Sequence, residues 1–573
     1  MRFFGGSSAM DGGALWSPMK TQWSLRHPSG NVWATSTADR IQTAEMASLA
    51  RWAVILGTHD VAETEFETWL SGEKPLLPAA WPGSYTIVLG DGLGVSVFAD
   101  PAHAVPVYYT EVNDGVVWAS SSFALSPLAG TGINLDWAAD LIADPAGFTP
   151  IDRSAFNGVS MVPPGYRLDL AGTHSPIVRR WWNPPPPVRP QNASAGFRRA
   201  LEDAVLARLS FGRTISCDLS GGLDSTSLCL LSARKAQPGQ QIIACTVRPE
   251  GVHHGGDLDH ARAAVDDRQD IRHLVLPLPD DAAPFVGITG GPATDEPAPS
   301  TITRARHQRG YALVAAHGSQ IHISGDGGDA LLMQGPEHAL RLMKRGRYLR
   351  ALRDLHGWAK LNRVSPAHML ADTVLPARAH PNLPPWLEPK RANGGRDPSR
   401  RYRSAIPEAD FDLAALAGVG RTARSDVQLA DPSGIRLENP FLDRAVIDAA
   451  LRFPITHRGS PWEYKPQITT ALTDVLPNKL LHRRAKGGTD ADHYRGLRAN
   501  LTSVLELTDG WLAGNGIIDS RLLRSELRSA ASGRPTAWGV LEPTIATEIW
   551  ARSIESCAAP GWYRECARTR NRI

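Results

Sequence analysis

Five cysteines in 573 residues leave little material for a disulfide framework. Cys217, Cys229, Cys245, Cys557 and Cys566 form no C-x-x-C pair and no metal-like cluster. Three of them lie in apolar runs, where a free thiol behaves as a small hydrophobe. No window reaches the ~18 consecutive apolar residues of a membrane span. The opening stretch, MRFFGGSSAMDGG, also lacks the long apolar segment of a secretory signal. These absences predict a cytoplasmic protein with no membrane partner. Net charge is +3, from 61 Lys and Arg against 58 Asp and Glu, so no global field argues for nucleic acid. The one strongly basic run, Arg341 to Arg363, reads as a solvated helix face, and nothing else supports nucleic-acid binding. No internal repeat is present. What remains is an ordinary composition, 42% hydrophobic and 21% charged, in a chain long enough for roughly two to four domains.

Residues 1–182 read mostly as strands. SYTIVLGDGLGVSVFADP carries two alternating apolar runs broken by GDGLG, a hairpin signal. VPVYYTEVNDGVVWASSS repeats the design around Asn113-Asp114-Gly115. Between the strands, ADRIQTAEMASLARWAVILG reads as a helical window, and MVPPGYRLDL gives a further strand after a proline turn. NPPPPVRP, within residues 183–194, favours an extended conformation and reads as a spacer. From 195 to 573 the pattern changes. RTISCDL precedes a helical STSLCLLSARKA, QIIACTV precedes DLDHARAAVDD, and IRHLVLPL is followed by the helical YALVAAHG and the strand SQIHIS. Such alternation predicts a doubly wound parallel sheet with helices on both faces, followed by helical additions. HPNLPPWLEPKRANGGRDPSRRYRS, residues 380–404, is the least regular segment.

Ligands of a parallel sheet bind beyond the carboxyl ends of its strands. Ser220-Gly221-Gly222-Leu223-Asp224-Ser225 falls at such an end. Its glycines let the backbone approach an anion, and the following helix offers its amino-terminal dipole end. Asp224 would repel bare phosphates but suits a carboxylate that holds Mg²⁺ against pyrophosphate oxygens. No Gly-Lys-Ser/Thr follows, so this is no Walker loop. A second acidic turn, Ser324-Gly325-Asp326-Gly327-Gly328-Asp329, follows the strand QIHIS. Two such turns on one sheet edge predict that Asp224 and Asp329 share one metal.

Ser-Gly-Gly-x-Asp-Ser resembles the pyrophosphate loop of the N-type ATP pyrophosphatases, and the later Ser-Gly-x-Gly-x-Asp turn narrows the resemblance to the asparagine synthetase class. DEP (Asp295–Pro297), ENPFLDRAVIDAALRFP (Glu438–Pro454) and LHRRAKGG (Leu481–Gly488) fall in that class's order. WPGSYTIVLGD, DPAHAVPVYYT and WASSS resemble its amidotransferase domain, which implies a β-rich sandwich for residues 1–182. That domain's nucleophile is an amino-terminal cysteine; this chain begins Met1-Arg2-Phe3-Phe4 and has no cysteine before Cys217. Glutamine is therefore not expected to supply ammonia.

The resemblance implies ATP and Mg²⁺, with Ser220, Gly221, Gly222, Leu223, Asp224, Ser225, Ser324 and Gly325 at the nucleotide. Thr246 and Val247 are implied adenine neighbours, and Asp224 and Asp329 the metal ligands. Lys486 is the implied stabiliser of transition-state charge, with Gly487 and Gly488 after it to let its loop close. Asp326 is a candidate to accept the amine's proton. Lys465 reads as structural or as a phosphate contact. The usual Glu-x-Arg order before PFLD is exchanged to Arg436-Leu437-Glu438, so either end of that triplet is open as the substrate or acid–base contact, with Glu438 the candidate catalytic group. Among class members without the cysteine, the chain most resembles the lasso peptide cyclases. That implies a ribosomal precursor peptide as substrate, and a leader-binding protein and leader protease as partners. A β-lactam synthetase, an ammonia-dependent asparagine synthetase and a nucleotide-binding scaffold without turnover are the other readings.

Overall fold

The computed structural model describes residues 3–8, 23–26, 32–36, 41–46, 48, 50–72, 78–91, 94–112, 115–130, 132–145, 152–171, 175–374, 383–389, 411–483 and 490–557. Met1, Arg2, the Asn113-Asp114 turn, most of residues 380–404, and Lys486 with Gly487 and Gly488 lie outside them.

The first part holds twelve strands: β1 (Phe3–Ser8), β2 (Trp23–Arg26), β3 (Val32–Ser36), β4 (Ile41–Met46), β5 (Arg51–Gly57), β6 (Tyr85–Asp91), β7 (Gly94–Phe98), β8 (Tyr108–Val112), β9 (Gly115–Ala119), β10 (Ser160–Met161), β11 (Tyr166–Leu170) and β12 (Ile177–Arg180). They form two six-stranded sheets, ordered β10-β8-β9-β1-β3-β2 and β12-β11-β7-β6-β5-β4, with antiparallel pairing throughout. Successive side chains point to opposite faces of a strand, and the cores follow that rule. Phe3, Val116 and Trp118 meet Val54, Val88, Val97 and Leu168 of the other sheet to fill a sandwich. Phe4, Val117 and Ala119 face outward onto α2 (Ser122–Ala129) and α3 (Leu135–Ala143). The expected hairpins close at Asp91↔Gly94 and Val112↔Gly115.

One expectation fails here. The window predicted as helical forms β4 and β5, paired from Ile41↔Leu56 to Met46↔Arg51. The reason is burial on both faces: Trp52 to Leu56 are all buried, and a β-branched, aromatic run enclosed on two sides has no polar alternation for a strand period to show. The short helix α1 (Glu63–Leu70) follows it.

After Arg180 the chain is extended to Arg189, where the Val188 amide donates to the Arg452 carbonyl at 2.8 Å. The proline stretch is thereby fastened to the second half, and helix α4 (Pro190–Leu209) begins inside the expected spacer, with Pro190 at its first turn. A five-stranded sheet follows, β13 (Thr214–Asp218), β14 (Gln241–Pro249), β15 (Ile271–Leu278), β16 (Ile321–Ile323) and β17 (Arg436–Glu438), ordered β15-β14-β13-β16-β17 and parallel throughout. Both of its faces are covered. Ile242 and Ala244 pack with α4 and α5 (Leu223–Lys235), while Ile243 and Cys245 pack with α7 (Arg304–Ala316) and α11 (Phe411–Ala430). Helix α6 (Gly256–Val265) follows β14, and α8 (Gly328–Leu332), α9 (His338–Lys344) and α10 (Tyr348–Asn362) follow β16. Helices α12 (Arg444–Leu451) and α13 (Pro466–Ala471) come after β17. No helix among the described residues is long and apolar enough to cross a membrane.

Candidate functional site

The sheet order reverses between β13 and β16, and that switch point is where the two acidic turns leave the sheet. The first turn is closed by its own serines. The Ser220 amide donates to Ser225 Oγ at 3.2 Å, the two hydroxyls lie 2.8 Å apart, and the Gly222 amide donates to Ser220 Oγ at 3.2 Å. Gly221 has φ +79°, and a Cβ there would stand 2.1 Å from the Asp257 carbonyl oxygen. Glycine is thus required twice at this position, by backbone conformation and by contact. Arg483 donates to the Gly221 carbonyl and to the Asp257 carboxylate, stapling the turn to the start of α6. Leu223 begins α5, which has no side-chain cap, and Asp224 sits in its first turn.

The second turn lies directly on the first. A Cβ at Gly325 would be 2.8 Å from the Ser225 nitrogen, and one at Gly328 would be 2.4 Å from the Asp224 carboxyl carbon. Ser324 is anchored through its amide to the Glu438 carbonyl at 2.9 Å, and its hydroxyl accepts from the Asp326 amide at 3.2 Å. Asp329 enters the first turn of α8.

Asp224 and Asp329, 105 positions apart in sequence, are joined by a third side chain. The Lys465 ammonium donates to Asp224 Oδ2 and to Asp329 Oδ1. Its side chain is 1% exposed, and its backbone is left-handed, at φ +48°, just before Pro466 opens α13. Burial alone would lower the ammonium's pKa; the two carboxylates outweigh it and hold Lys465 above the ordinary lysine value. The Tyr464 ring lies 5.3 Å from the ammonium.

Among the described residues no group of three or more His, Cys, Asp or Glu side chains is placed to hold a metal. Two hard carboxylates from two turns, in a cradle that a Cβ at Gly328 would fill, nevertheless fit Mg²⁺, which takes one or two protein carboxylates and completes its octahedron with water and substrate phosphate oxygens.

The other expected residues fall around this centre. Thr246 is buried, its hydroxyl donating to the Leu219 carbonyl at 2.6 Å and lying 2.8 Å from His273 Nε2; that side chain locks strands together. Val247, the next residue of β14, is 39% exposed at the same sheet edge. Asp326 is exposed and turns toward α11, where burial and then the Asp326 charge push the Asp426 carboxyl up to about 8.

Glu438 lies in a buried ionic cluster. It accepts from Arg208 Nε at 3.0 Å, Arg436 Nε at 2.7 Å and Thr58 Oγ1 at 2.7 Å. Burial works against its charge, but Arg436 and Arg208 overcome it and bring the carboxyl down to about 2. Held by two arginines and a threonine, Glu438 ties β17 to α4 and to the first half of the chain. The DEP segment also fastens. Asp295 accepts from Ser121 Oγ at 2.6 Å and from the Phe123 amide at 2.9 Å, and Glu296 from Tyr108 and Arg424, each at 3.2 Å. Arg483 and Asp257 were missed, because their contacts span more than two hundred residues and carry no local pattern; Tyr464 was missed because its place beside Lys465 has no local signature.

The family model for asparagine synthase matches residues 196–552. Carboxyethyl-arginine beta-lactam-synthase of Streptomyces clavuligerus is 31% identical over 206 residues, which cover 34% of this chain and 36% of that protein. The match thus spans about a third of the length of this curated relative. Solved structures that align include glutamine phosphoribosylpyrophosphate amidotransferase from B. subtilis with ADP and GMP, at 10% identity and TM-score 0.23, over 57% of this chain and 82% of that one. Another is an allosteric regulatory enzyme of purine biosynthesis, at 9% identity and TM-score 0.21, over 50% and 81%. With the family model covering more than half the chain, and both acidic turns inside the matched region, this protein belongs to the asparagine synthase family.

Proposed function

We infer that the protein is an ATP-dependent, AMP-forming amide ligase, and that it closes a macrolactam within a precursor peptide. The observation that carries this reading is the meeting of Asp224 and Asp329 at one ammonium, on the carboxyl edge of the parallel sheet, where ligands of such sheets bind. A free carboxylate resists an amine because its oxide leaves poorly. Attack of a carboxylate oxygen on the α-phosphorus of ATP forms an acyl-phosphorus link, breaks the α–β bridge and expels pyrophosphate. The amine nitrogen then attacks the acyl carbon, AMP leaves and the amine gives up a proton. Mg²⁺ held by Asp224 and Asp329 would neutralise charge on the departing pyrophosphate. The turn around Gly221 and Gly222 provides the close backbone approach an oxyanion needs, and Arg483 keeps that turn in place. Lys465 is poised to pass from carboxylate to phosphate oxygens. Asp326, beside protonated Asp426, is the acceptor for the amine's proton. Lys486 is proposed to stabilise the charge that develops on the acyl oxygen.

The peptide reading rests on the resemblance to lasso cyclases, and a leader-binding protein and a leader protease are its proposed partners. A second reading, ring closure of a small β-amino acid, is favoured by the identity with the beta-lactam-synthase. The test offers the purified chain ATP, Mg²⁺ and either a leaderless precursor peptide with a free amino terminus or a small β-amino acid. AMP and pyrophosphate released only with the peptide, together with a peptide lighter by one water, is the expected result. Release with the small acid alone would favour the second reading; release with neither would end the ligase proposal.

A further inference from the structure

We propose that the groove between α10 and the Trp462–Tyr464 turn is the docking site for an acidic, apolar-bearing segment of the substrate peptide. The proposal rests on the peptide reading above and adds where that peptide lies and what recognises it.

The groove encloses about 1,110 Å³, beyond the ~300–1,000 Å³ typical of small-molecule sites. It is more than twice the cavity of about 430 Å³ at the interface of the two halves, which Thr58, Asp295 and Arg436 line. An extended chain suits the larger space better than a small amino acid does. One end reaches the nucleotide site: Tyr464 lines the groove, and its ring lies 5.3 Å from the Lys465 ammonium. Arg483 lines the groove too while donating to the Gly221 carbonyl. The groove thus ends beside the residues that hold the first acidic turn and the Lys465 ammonium.

The far end is basic. The lining includes Arg198, Arg350 and Arg353, with Glu463 the one carboxylate on it among the described residues. Arg198 is engaged by Asp474 and Glu202. Arg350 and Arg353 share only the buried Asp354, at 3.7 and 3.6 Å, so two cations meet one anion. The Arg353 guanidinium stands 6.0 Å from the Trp462 ring centroid. Outside the groove's lining, the same helix α10 shows water an apolar turn: Leu349 is 88% exposed, Tyr348 62% and Leu352 52%. Leu349 and Arg353 are one helical turn apart and share a face. Three large apolar side chains within one turn, next to excess positive charge, complement a peptide that alternates carboxylates with apolar residues.

The test measures binding of a synthetic acidic peptide, free at its amino terminus and labelled at its carboxyl terminus, by fluorescence anisotropy with wild-type enzyme, the charge variant Arg350→Glu/Arg353→Glu and the apolar variant Leu349→Ser/Leu352→Ser. ATP binding and the thermal midpoint are followed in parallel. The expected result is roughly tenfold weaker peptide binding in each variant, a higher KM for peptide with kcat little changed, and unaltered ATP binding. Raised salt should erase the difference between wild type and the charge variant. Unchanged peptide affinity in folded, active variants would overturn the docking site while leaving the ligase reading intact. Equal weakening for a peptide with Asn and Gln in place of its acidic residues would overturn the charge argument. A wild type that closes rings only in a small β-amino acid would overturn both.

Discussion

At the scale of single residues, the proposed function gives Lys465 a part in how metal and nucleotide would arrive. Its ammonium already balances Asp224 and Asp329, so a divalent ion gains little by approaching the pair alone. Phosphate oxygens change that balance by drawing the ammonium away and supplying further ligands, so metal and ATP should bind as one unit. Removing the lysine removes that dependence. In Lys465→Met the nearly buried Asp224 faces the half-exposed Asp329 with no cation between them, which lowers stability. Mg²⁺ should recover part of the loss. The expected outcome is a thermal midpoint that rises with Mg²⁺ in Lys465→Met and stays nearly level in wild type, measured without nucleotide, while peptide-dependent pyrophosphate release is lost. An equal response of both proteins to Mg²⁺ would contradict the bridging role.

At the scale of elements, the site is two βα turns pressed together at a sheet's switch point, and glycine allows that approach. Gly328 and Gly221 are predicted to fail differently when changed to Ala. At 328 the added methyl meets the Asp224 carboxyl group at 2.4 Å, while the backbone has no left-handed requirement. The carboxylate must swing aside, and turnover should fall by roughly 10²-fold, as expected for misplaced catalytic groups, with little change in midpoint. At 221 the methyl meets a main-chain oxygen at 2.1 Å on a residue with φ +79°. Strain of about 1–3 kcal/mol and the clash should then appear as lost stability, read by thermal unfolding. These turns were legible in the sequence because a strand ending in Ser-Gly-Gly-x-Asp or Ser-Gly-x-Gly-x-Asp leaves few other uses for so many glycines and carboxylates. The parallel sheet was legible from its alternation with helices. β5 was not, since burial on both faces hides the strand period. Nor was the link from Lys465 to residues 241 and 136 positions away, which only the folded chain brings together.

At the scale of the whole molecule, the sandwich and the parallel-sheet half share a buried ionic lock. Arg208, fully buried on α4, donates to Glu438 at the end of β17 and to both oxygens of Asp443 at the start of α12. The sandwich closes the same cluster, with Thr58 donating to Glu438 at 2.7 Å, and with the Gly83 amide at 3.0 Å and the Ser84 hydroxyl at 2.7 Å donating to Asp443. Outer-face residues of the second sheet, among them Ile55 and Ile87, belong to the same apolar core as α4 and β13. The sandwich is therefore a wall of the synthetase half, which gives it a use whatever becomes of glutamine. Two consequences follow, and one substitution tests both. The halves should unfold in a single calorimetric transition, and Glu438→Gln, which leaves Arg208 and Arg436 short of an anion, should lower stability by about 3–5 kcal/mol at neutral pH. The folded pKa of Glu438 is depressed from 4.5 to about 2, so the unfolded chain binds the extra proton between those values. The stabilisation is complete above 4.5 and drains away as pH falls toward 2. The gap between wild type and Glu438→Gln should narrow across that interval in urea titrations. A gap independent of pH, or two separate transitions in the wild type, would mean that the carboxylate does not hold the halves together.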